Sequence, residues 1–265
     1  MKMLNYRYYL KIEFDSPVTN HSFTVRCTPA ADGRQEIIRQ DTRILPREFL
    51  SMNRDSFGNT YFFGRAREPH TLFEVVAEGT AKTGIEDSVE AEPSYRLGMY
   101  AGQTRYTAPG ERLKEFFFSL KLPQKGGNLE KSLYIMNALR EAYVYVPGKT
   151  GISTTAEKAW EIGCGVCQDY SHIMISLCRM AGIQARYAAG MLIGEGLSHA
   201  WVEVAQESRW YGLDPTNGVR VLENHIKISQ GRDYGDCLLN QGVFTGTANQ
   251  QQTVSVTVEE AGEGT

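Results

Sequence analysis

The chain has 265 residues, a formal net charge of −3, and a composition that is 42% hydrophobic and 22% charged. These values are typical of a globular protein that can bury a sizeable core. No long basic run indicates nucleic-acid binding, and no apolar run approaches the roughly 20 residues of a membrane helix. We therefore expect neither nucleic acid nor a membrane among its partners.

Cysteine usage and the N-terminus bear on the cellular compartment. The first seven residues alternate polar and apolar side chains and contain no signal-peptide core. The number of cysteines, five, is odd, which argues against a disulfide framework in a chain of this length. We expect reduced thiols and a cytoplasmic location.

Residues 1–110 are predicted to form an antiparallel β domain. Apolar side chains alternate along the first strand, at Tyr6, Tyr8, Leu10, Ile12 and Phe14. Polar turn residues at 15–20 predict that the chain reverses there, so that residues 4–29 form two strands. Residues 60–63 and 72–77 add strand patterns, and no helical period of useful length interrupts them.

A less regular segment, residues 78–112, contains Pro93, Pro109 and Gly110 and is predicted to connect two domains. The second domain is expected over residues 111–260, and residues 261–265 are expected to form a flexible tail. Helical periods begin at residues 128, 155 and 166, and the strand patterns that follow lie at 185–193, 199–204, 209–214 and 253–258. Helices followed by antiparallel strands predict an α+β class.

The glycine-rich turn before the helix at 166–181 carries two cysteines, and Cys167 lies in the first turn of that helix. The positive end of the helix dipole favours a thiolate, which is the nucleophilic form of cysteine. Gly163 and Gly165 permit a sharp turn and leave room for a substrate. Cys167 is therefore the candidate nucleophile, and it requires a base with an orienting partner.

The strands at 199–204 and 209–214 offer that pair. A symmetric hairpin closed over residues 205–208 would place His199 directly opposite Asp214, on the same face of the sheet. An imidazole and a carboxylate placed in this way can form a hydrogen bond that orients the base. The argument is conditional, because a one-residue bulge would put the two side chains on opposite faces.

Four sequence words occur in an order that resembles the transglutaminase-like superfamily of papain-like cysteine enzymes. They are Gly-Val-Cys-Gln-Asp-Tyr (165–170), Ala-Arg-Tyr (185–187), His-Ala-Trp-Val-Glu-Val (199–204) and Leu-Asp-Pro-Thr-Asn-Gly (213–218). The N-terminal third resembles the β domain that precedes the core in the bacterial branch, whose members are often labelled cysteine proteases. The resemblance implies a papain-like α+β core with Cys167 as nucleophile, His199 as base and Asp214 as orienting acid.

Residues around this triad are candidates for substrate contact. Gln168 and Trp160 are considered for the second oxyanion donor, and Trp160 and Trp201 for the walls of the substrate groove. Aromatic residues at such positions equally suit a hydrophobic core. We interpret the remaining histidines, including His172 and His225, as structural.

The expected chemistry is acyl transfer on a peptide or protein amide through a thioester. Hydrolysis is favoured, with transamidation and a non-catalytic binding module as the alternatives. No cofactor or metal is expected, because the pair Cys164 and Cys167 has no second ligand pair at zinc spacing. A reversible disulfide between these two thiols remains an alternative interpretation. The pattern does not indicate an oligomeric state.

Overall fold

In the computed structural model, which describes residues 1–91 and 93–262, antiparallel sheets dominate and most of the helices lie in the middle of the chain. The predicted α+β class is confirmed. Residues 263–265 of the predicted tail lie outside the described residues. No helix in the described part of the chain is long and apolar enough to span a membrane.

The first half of the chain supplies most of a large curled sheet. Its strands are β1 (Lys2–Val25), β2 (Gln35–Leu45), β3 (Phe49–Arg54), β4 (Thr60–Ala66) and β5 (His70–Thr83). The short strand β6 (Val89–Glu90) instead pairs with the second sheet. As predicted, the alternating apolar residues of β1 are buried on one face, which supplies the core of this half.

The predicted reversal at residues 15–20 is wrong. The strand β1 runs without a break, and only its partners change: residues up to Glu13 and Val18 pair with β5, and those from His21 onward pair with β4. An irregularity of register between Glu13 and Val18 redirects the strand without turning it back. A bulge of this kind bends a strand and increases its twist, so polar turn residues there mark a bend.

The rest of the chain forms helices and a second sheet. The helices are α1 (Ser94–Leu97), α2 (Glu111–Ser119), α3 (Asn128–Ala142), α4 (Ala156–Ile162) and α5 (Cys167–Met180). The strands are β7 (Val144–Tyr145), β8 (Cys164–Gly165), β9 (Ala185–Leu192), β10 (Gly194–Gly196), β11 (His199–Gln206), β12 (Arg209–Asp214), β13 (Val219–Arg220), β14 (His225–Gly231), β15 (Asn240–Thr245) and β16 (Gln250–Glu260).

The second sheet has the order β13-β12-β11-β9-β14 and packs against α5. The helix α5 is buried on all sides over residues 169–179, because α3, α4 and this sheet surround it. It is therefore a core helix rather than one with a single buried stripe.

The last strand, β16, returns to the first sheet. It pairs antiparallel with β1 from Leu4↔Glu260 to Phe14↔Gln250, and its other edge pairs with the short strand β10. A C-terminal strand thus lies between the N-terminal sheet and the loop that leads into β11. The division into domains at residue 110 stays a prediction.

Candidate active site

The helix α5 begins at Cys167, so the thiol occupies the first helical position. The residue before it, Val166, is extended, and its N–H donates to the Asp169 carboxylate at 2.8 Å. The same oxygen accepts from the Thr150 hydroxyl at 2.6 Å. The buried Asp169 side chain thus fixes the turn that presents Cys167.

Gly165 leaves the space that this arrangement needs. A Cβ atom at this position would collide with the carboxylate of Asp169 and with the hydroxyl of Tyr143. Glycine therefore allows the buried carboxylate to approach the backbone just before Cys167, the candidate nucleophile.

The hairpin that carries His199 and Asp214 is tighter than predicted. Gln206 pairs with Arg209, so the turn consists of Glu207 and Ser208 alone, both with positive φ. The observed register differs by two residues from the predicted register, so the predicted register was wrong. Because side chains alternate with a period of two, His199 and Asp214 still share a face, now as diagonal neighbours.

His199 links the carboxylate to the thiol. Its Nε2 atom lies 2.7 Å from the Oδ2 atom of Asp214, and its side chain lies beside Cys167. Burial lowers the pKa of His199, but the hydrogen bonds and charges of Asp214 and Cys167 outweigh it and raise the pKa to about 10. The arrangement favours an imidazolium beside the sulfur.

Asp214 is fully buried and is held by five donors. Its Oδ1 atom accepts from the backbone N–H groups of Thr216 and Asn217, at 3.0 and 3.2 Å. Its Oδ2 atom accepts from His199, from the Asn217 amide at 2.7 Å and from His225 at 3.1 Å. Burial opposes ionisation, yet these donors hold the pKa of Asp214 well below its usual range.

His225 and Asn217 are the residues that the sequence analysis missed. Asn217 follows Asp214 by three residues after a proline, a spacing at which a side chain can bind back to the turn. For His225, which was interpreted as structural without an acidic partner, the local sequence carries no signal. It reaches Asp214 from β14, which is separated from β12 in the sheet by β9 and β11.

Trp201 and Gly190 pack next to this hydrogen-bond network. Trp201 is 1% exposed, and its ring lies 5.4 Å from that of His225 and 6.3 Å from that of His199. A Cβ at Gly190 would collide with the Trp201 ring and with the carbonyl oxygen of Ile226. Trp201 is therefore buried against the two histidines. It does not face the candidate substrate groove, whose wall it was predicted to form.

The thiol opens into a cleft of about 510 Å³. The lining is largely apolar, and His199 is the one basic side chain among the described residues that form it. These residues are Tyr145, Pro147, Ile152, Val166, Cys167, Gln168, Tyr187, Ala189, Leu197, Ser198, His199, Ala200, Tyr234, Cys237, Leu239, Gln252 and Val254. Gln168 is thus on the cleft wall, where its amide lies 3.4 Å from the Ile152 carbonyl. Trp160 is not on this wall, because it packs against Phe116 and stacks on Tyr143 in the helical core.

His172 supports the cleft from behind. It is fully buried, and its Nε2 atom accepts the backbone N–H of Tyr234, a cleft residue, at 3.1 Å. Burial lowers the pKa of His172 to about 3, so the ring is neutral and able to accept. The contact is structural, as the sequence analysis expected of this residue.

The side chains of His199, Asp214 and His225 are close enough to be considered as a metal site, with ligand atoms within 4.8 Å of one another. The geometry fits a hydrogen-bond network better. Two ligands of one tetrahedral zinc ion are about 3.4 Å apart, whereas His199 lies 2.7 Å from Asp214 and Asn217 donates to the same oxygen. All five cysteines are free thiols.

Two family models match the chain. Residues 120–215 match the transglutaminase-like superfamily, and residues 4–82 match the bacterial transglutaminase-like N-terminal region. An uncharacterized protein of Mycobacterium leprae is 28% identical over 251 residues, which is 88% of this chain and 90% of that protein. A protein-glutamine gamma-glutamyltransferase of Pseudomonas aeruginosa is 33% identical over 88 residues, 28% of this chain and 13% of that protein.

A solved structure shares the whole architecture. The crystal structure of a candidate cysteine protease from Cytophaga hutchinsonii aligns with a TM-score of 0.79 over 98% of this chain and 91% of that one. Its sequence identity is 21%, so the likeness concerns the fold. Since one model matches the core, another the N-terminal region, and both match in the expected order, the chain belongs to the transglutaminase-like superfamily.

Proposed function

We propose that the protein is a cysteine enzyme that transfers an acyl group from a peptide or protein amide, with Cys167, His199 and Asp214 as its triad. The observation that carries the proposal is His199, which binds the buried Asp214 carboxylate at 2.7 Å while it contacts the thiol at the start of α5. Membership of the superfamily supports the same class of chemistry.

The steps follow from the roles of these groups. The Cys167 thiolate attacks the amide carbonyl, and the resulting oxyanion lies near the backbone N–H groups at the helix start. His199, as imidazolium, gives its proton to the leaving amine, and a thioester remains. Neutral His199 then takes a proton from water, which attacks the thioester and releases the acid and the thiol.

Hydrolysis is the outcome we favour over transamidation. The described residues that line the cleft include no Asp or Glu, so no carboxylate there would hold a lysine ammonium as the second substrate. The cleft is also open enough to admit water. The similarity of 88 residues to a gamma-glutamyltransferase keeps amine transfer as the second candidate.

Alkylation with iodoacetamide tests the activated thiol. Cys164 is a matched internal control, since it is half-buried like Cys167, lies three residues away and has no histidine partner among the described residues. Near neutral pH we expect Cys167 to react at least tenfold faster than Cys164, and we expect His199→Ala to abolish the difference. Equal rates at the two cysteines would overturn the proposal.

Peptide and amide libraries, with and without a primary amine, separate the outcomes. New termini or released ammonia without amine incorporation would support hydrolysis, whereas efficient incorporation would replace it with transamidation. An activated thiol without turnover of any amide would favour the third alternative, a peptide-binding module. The cytoplasmic location stays a prediction, which fractionation of cells that express the chain would check.

A further inference from the structure

The strand β16 has a free edge beside the candidate nucleophile. One of its edges pairs with β1 along the whole strand, from Leu4↔Glu260 to Phe14↔Gln250. The other edge pairs with β10 only at residues 256–258, because the chain leaves β16 after Gly196 to enter β11. Among the described residues, no strand covers this edge at residues 250–255.

Two backbone hydrogen bonds at the ends of the ladder between β16 and β1 reveal which backbone groups face that edge. The N–H of Ala261 donates to the carbonyl oxygen of Met3, and the N–H of Asp15 donates to the carbonyl oxygen of Asn249. In this antiparallel ladder, the backbone N–H and C=O groups of the odd-numbered residues of β16 therefore point toward β1. The backbone groups of successive residues in a strand point to opposite edges. Those of the even-numbered residues therefore point toward the β10 side, where Val256 and Val258 pair with β10.

The free N–H and C=O groups at this edge therefore belong to Gln250, Gln252 and Val254. Gln252 and Val254 also line the cleft that contains Cys167 and His199. The vacant strand position thus lies next to the thiol rather than on a remote surface.

The sequence of this edge lacks the usual protection against strand addition. Natural edge strands are guarded by charged residues, prolines or bulges. Residues 250–255 read Gln-Gln-Gln-Thr-Val-Ser, with no charge and no proline, and the ladder with β1 has no shift of register there. Five of the six residues are exposed, and Val254 is half-buried. An unguarded edge is suited to accept an extended peptide.

We propose that residues 250–255 form the substrate-binding strand, on which an extended, uncharged polypeptide segment pairs and carries its amide carbonyls past Cys167. The substrate is uncharged near the scissile bond because the cleft, in the part of the chain that the structure describes, offers no carboxylate and no basic side chain other than His199. The inference rests on the proposed function for the chemistry, but the binding mode can be measured separately.

The test compares Val254→Pro with Val254→Ala in the full chain. Proline removes the outward N–H, which an edge strand tolerates, whereas alanine keeps it and removes the side chain. In a Cys167→Ala background, we expect Val254→Pro to weaken binding of end-blocked uncharged heptapeptide pools at least tenfold, and Val254→Ala to weaken it less than threefold. Pools with a central Lys or Glu should bind at least tenfold more weakly than uncharged pools.

A scan of N-methylated peptides gives a readout that depends on no variant. Strand pairing predicts that methylation of alternate peptide nitrogens abolishes binding, while methylation of the nitrogens between them has little effect. A uniform response, or equal binding by Val254→Pro and Val254→Ala, would overturn the proposal. If Val254→Pro unfolds, Gln252→Pro and Gln252→Ala repeat the comparison at a more exposed position.

Alkylation of Cys167 distinguishes this proposal from the proposed function. In the chain that retains Cys167, the rate of reaction with iodoacetamide measures the activated thiol, whereas peptide binding in the Cys167→Ala background measures the strand. Binding with alternating sensitivity but no turnover would leave the binding strand standing and overturn the acyl transfer. Turnover of amides without that sensitivity would do the reverse.

Discussion

The Nε2 atom of His225 lies 3.1 Å from the Oδ2 atom of Asp214, the same oxygen that His199 contacts at 2.7 Å. His225 is 5% exposed, and burial, opposed by Asp214, lowers its pKa below the ordinary value. The neutral ring therefore donates from Nε2. His225 thus positions the Asp214 carboxylate and disperses the charge of that carboxylate. Its ring is too deeply buried to touch a substrate.

Loss of this donor should slow catalysis and change its pH dependence. We expect His225→Phe to lower kcat/KM about tenfold, in line with a hydrogen bond to a charged group worth about 1.5–3 kcal/mol. With one donor fewer, Asp214 would bind the His199 imidazolium more strongly, so the alkaline limb of the pH profile should move upward. His225→Gln, which restores a donor, should recover part of the rate. A rate loss without any shift of that limb would indicate a purely structural role.

Asp214→Asn should move the same limb in the opposite direction. Without the carboxylate, His199 loses the charge that raises its pKa to about 10, and the alkaline limb should fall toward the ordinary histidine range. Because an amide also favours the wrong tautomer, we expect a loss in kcat on the order of 10³–10⁴. Steady-state kinetics across pH measure both effects. An unaltered limb would contradict the assigned role of Asp214.

The charge on His199 should stabilise the fold at low pH. Its pKa is raised from 6.5 to about 10, so the stabilisation is complete below about pH 6.5 and is lost as the pH rises toward about 10. Urea titrations should therefore show that the unfolding free energy of the unaltered chain exceeds that of His199→Gln by less and less as the pH rises between these two values. His21 is the control of opposite sign: burial lowers its pKa to about 4, so its stabilisation is lost as the pH falls from about 6.5 toward 4.

Gly165→Ala should damage the presentation of the thiol. The added methyl group would push against the Asp169 carboxylate and the Tyr143 hydroxyl, and overpacking of this kind costs about 1–3 kcal/mol. We expect a lower unfolding free energy together with slower alkylation of Cys167. Gly151→Ala is the matched control, since its Cβ would meet nothing within 4 Å. Equal behaviour of the two variants would contradict the packing argument.

The buried carboxylate of Glu203 should be essential for stability. It is 0% exposed and pairs with Arg34, with Arg186 at 2.7 Å and with Lys227 at 3.4 Å. Burial opposes its charge, but these cations hold the pKa of Glu203 well below its usual range. Glu203→Gln removes the buried carboxylate that these cations share, and breaking a buried ion pair costs about 3–5 kcal/mol.

An exposed ion pair provides the comparison for Glu203. Glu86 pairs with Arg209 at the surface, and such pairs contribute about 0–1 kcal/mol. In urea unfolding, Glu86→Gln should therefore be nearly neutral. A loss at Glu203 as small as that at Glu86 would mean that the buried cations find other partners.

Local patterns were sufficient for the elements of the site. The alternation along β1, the glycines before Cys167 and the position of the helix start all appear in short windows of sequence, because strand and helix periods are local properties. The match of four words to the transglutaminase-like superfamily was correct as well. Even the wrong hairpin register preserved the pairing of His199 with Asp214, because a shift of two residues keeps every side chain on its face.

By itself, the sequence predicted which side chains form the candidate site and on which faces of their elements they lie. Only the tertiary structure decided what surrounds them, since those contacts join strands that are distant along the chain. The third donor to Asp214 comes from β14, the cleft wall includes β16 from the N-terminal sheet, and Trp160 and Trp201 pack into cores. Such contacts depend on the order of strands in a sheet, which no local period specifies.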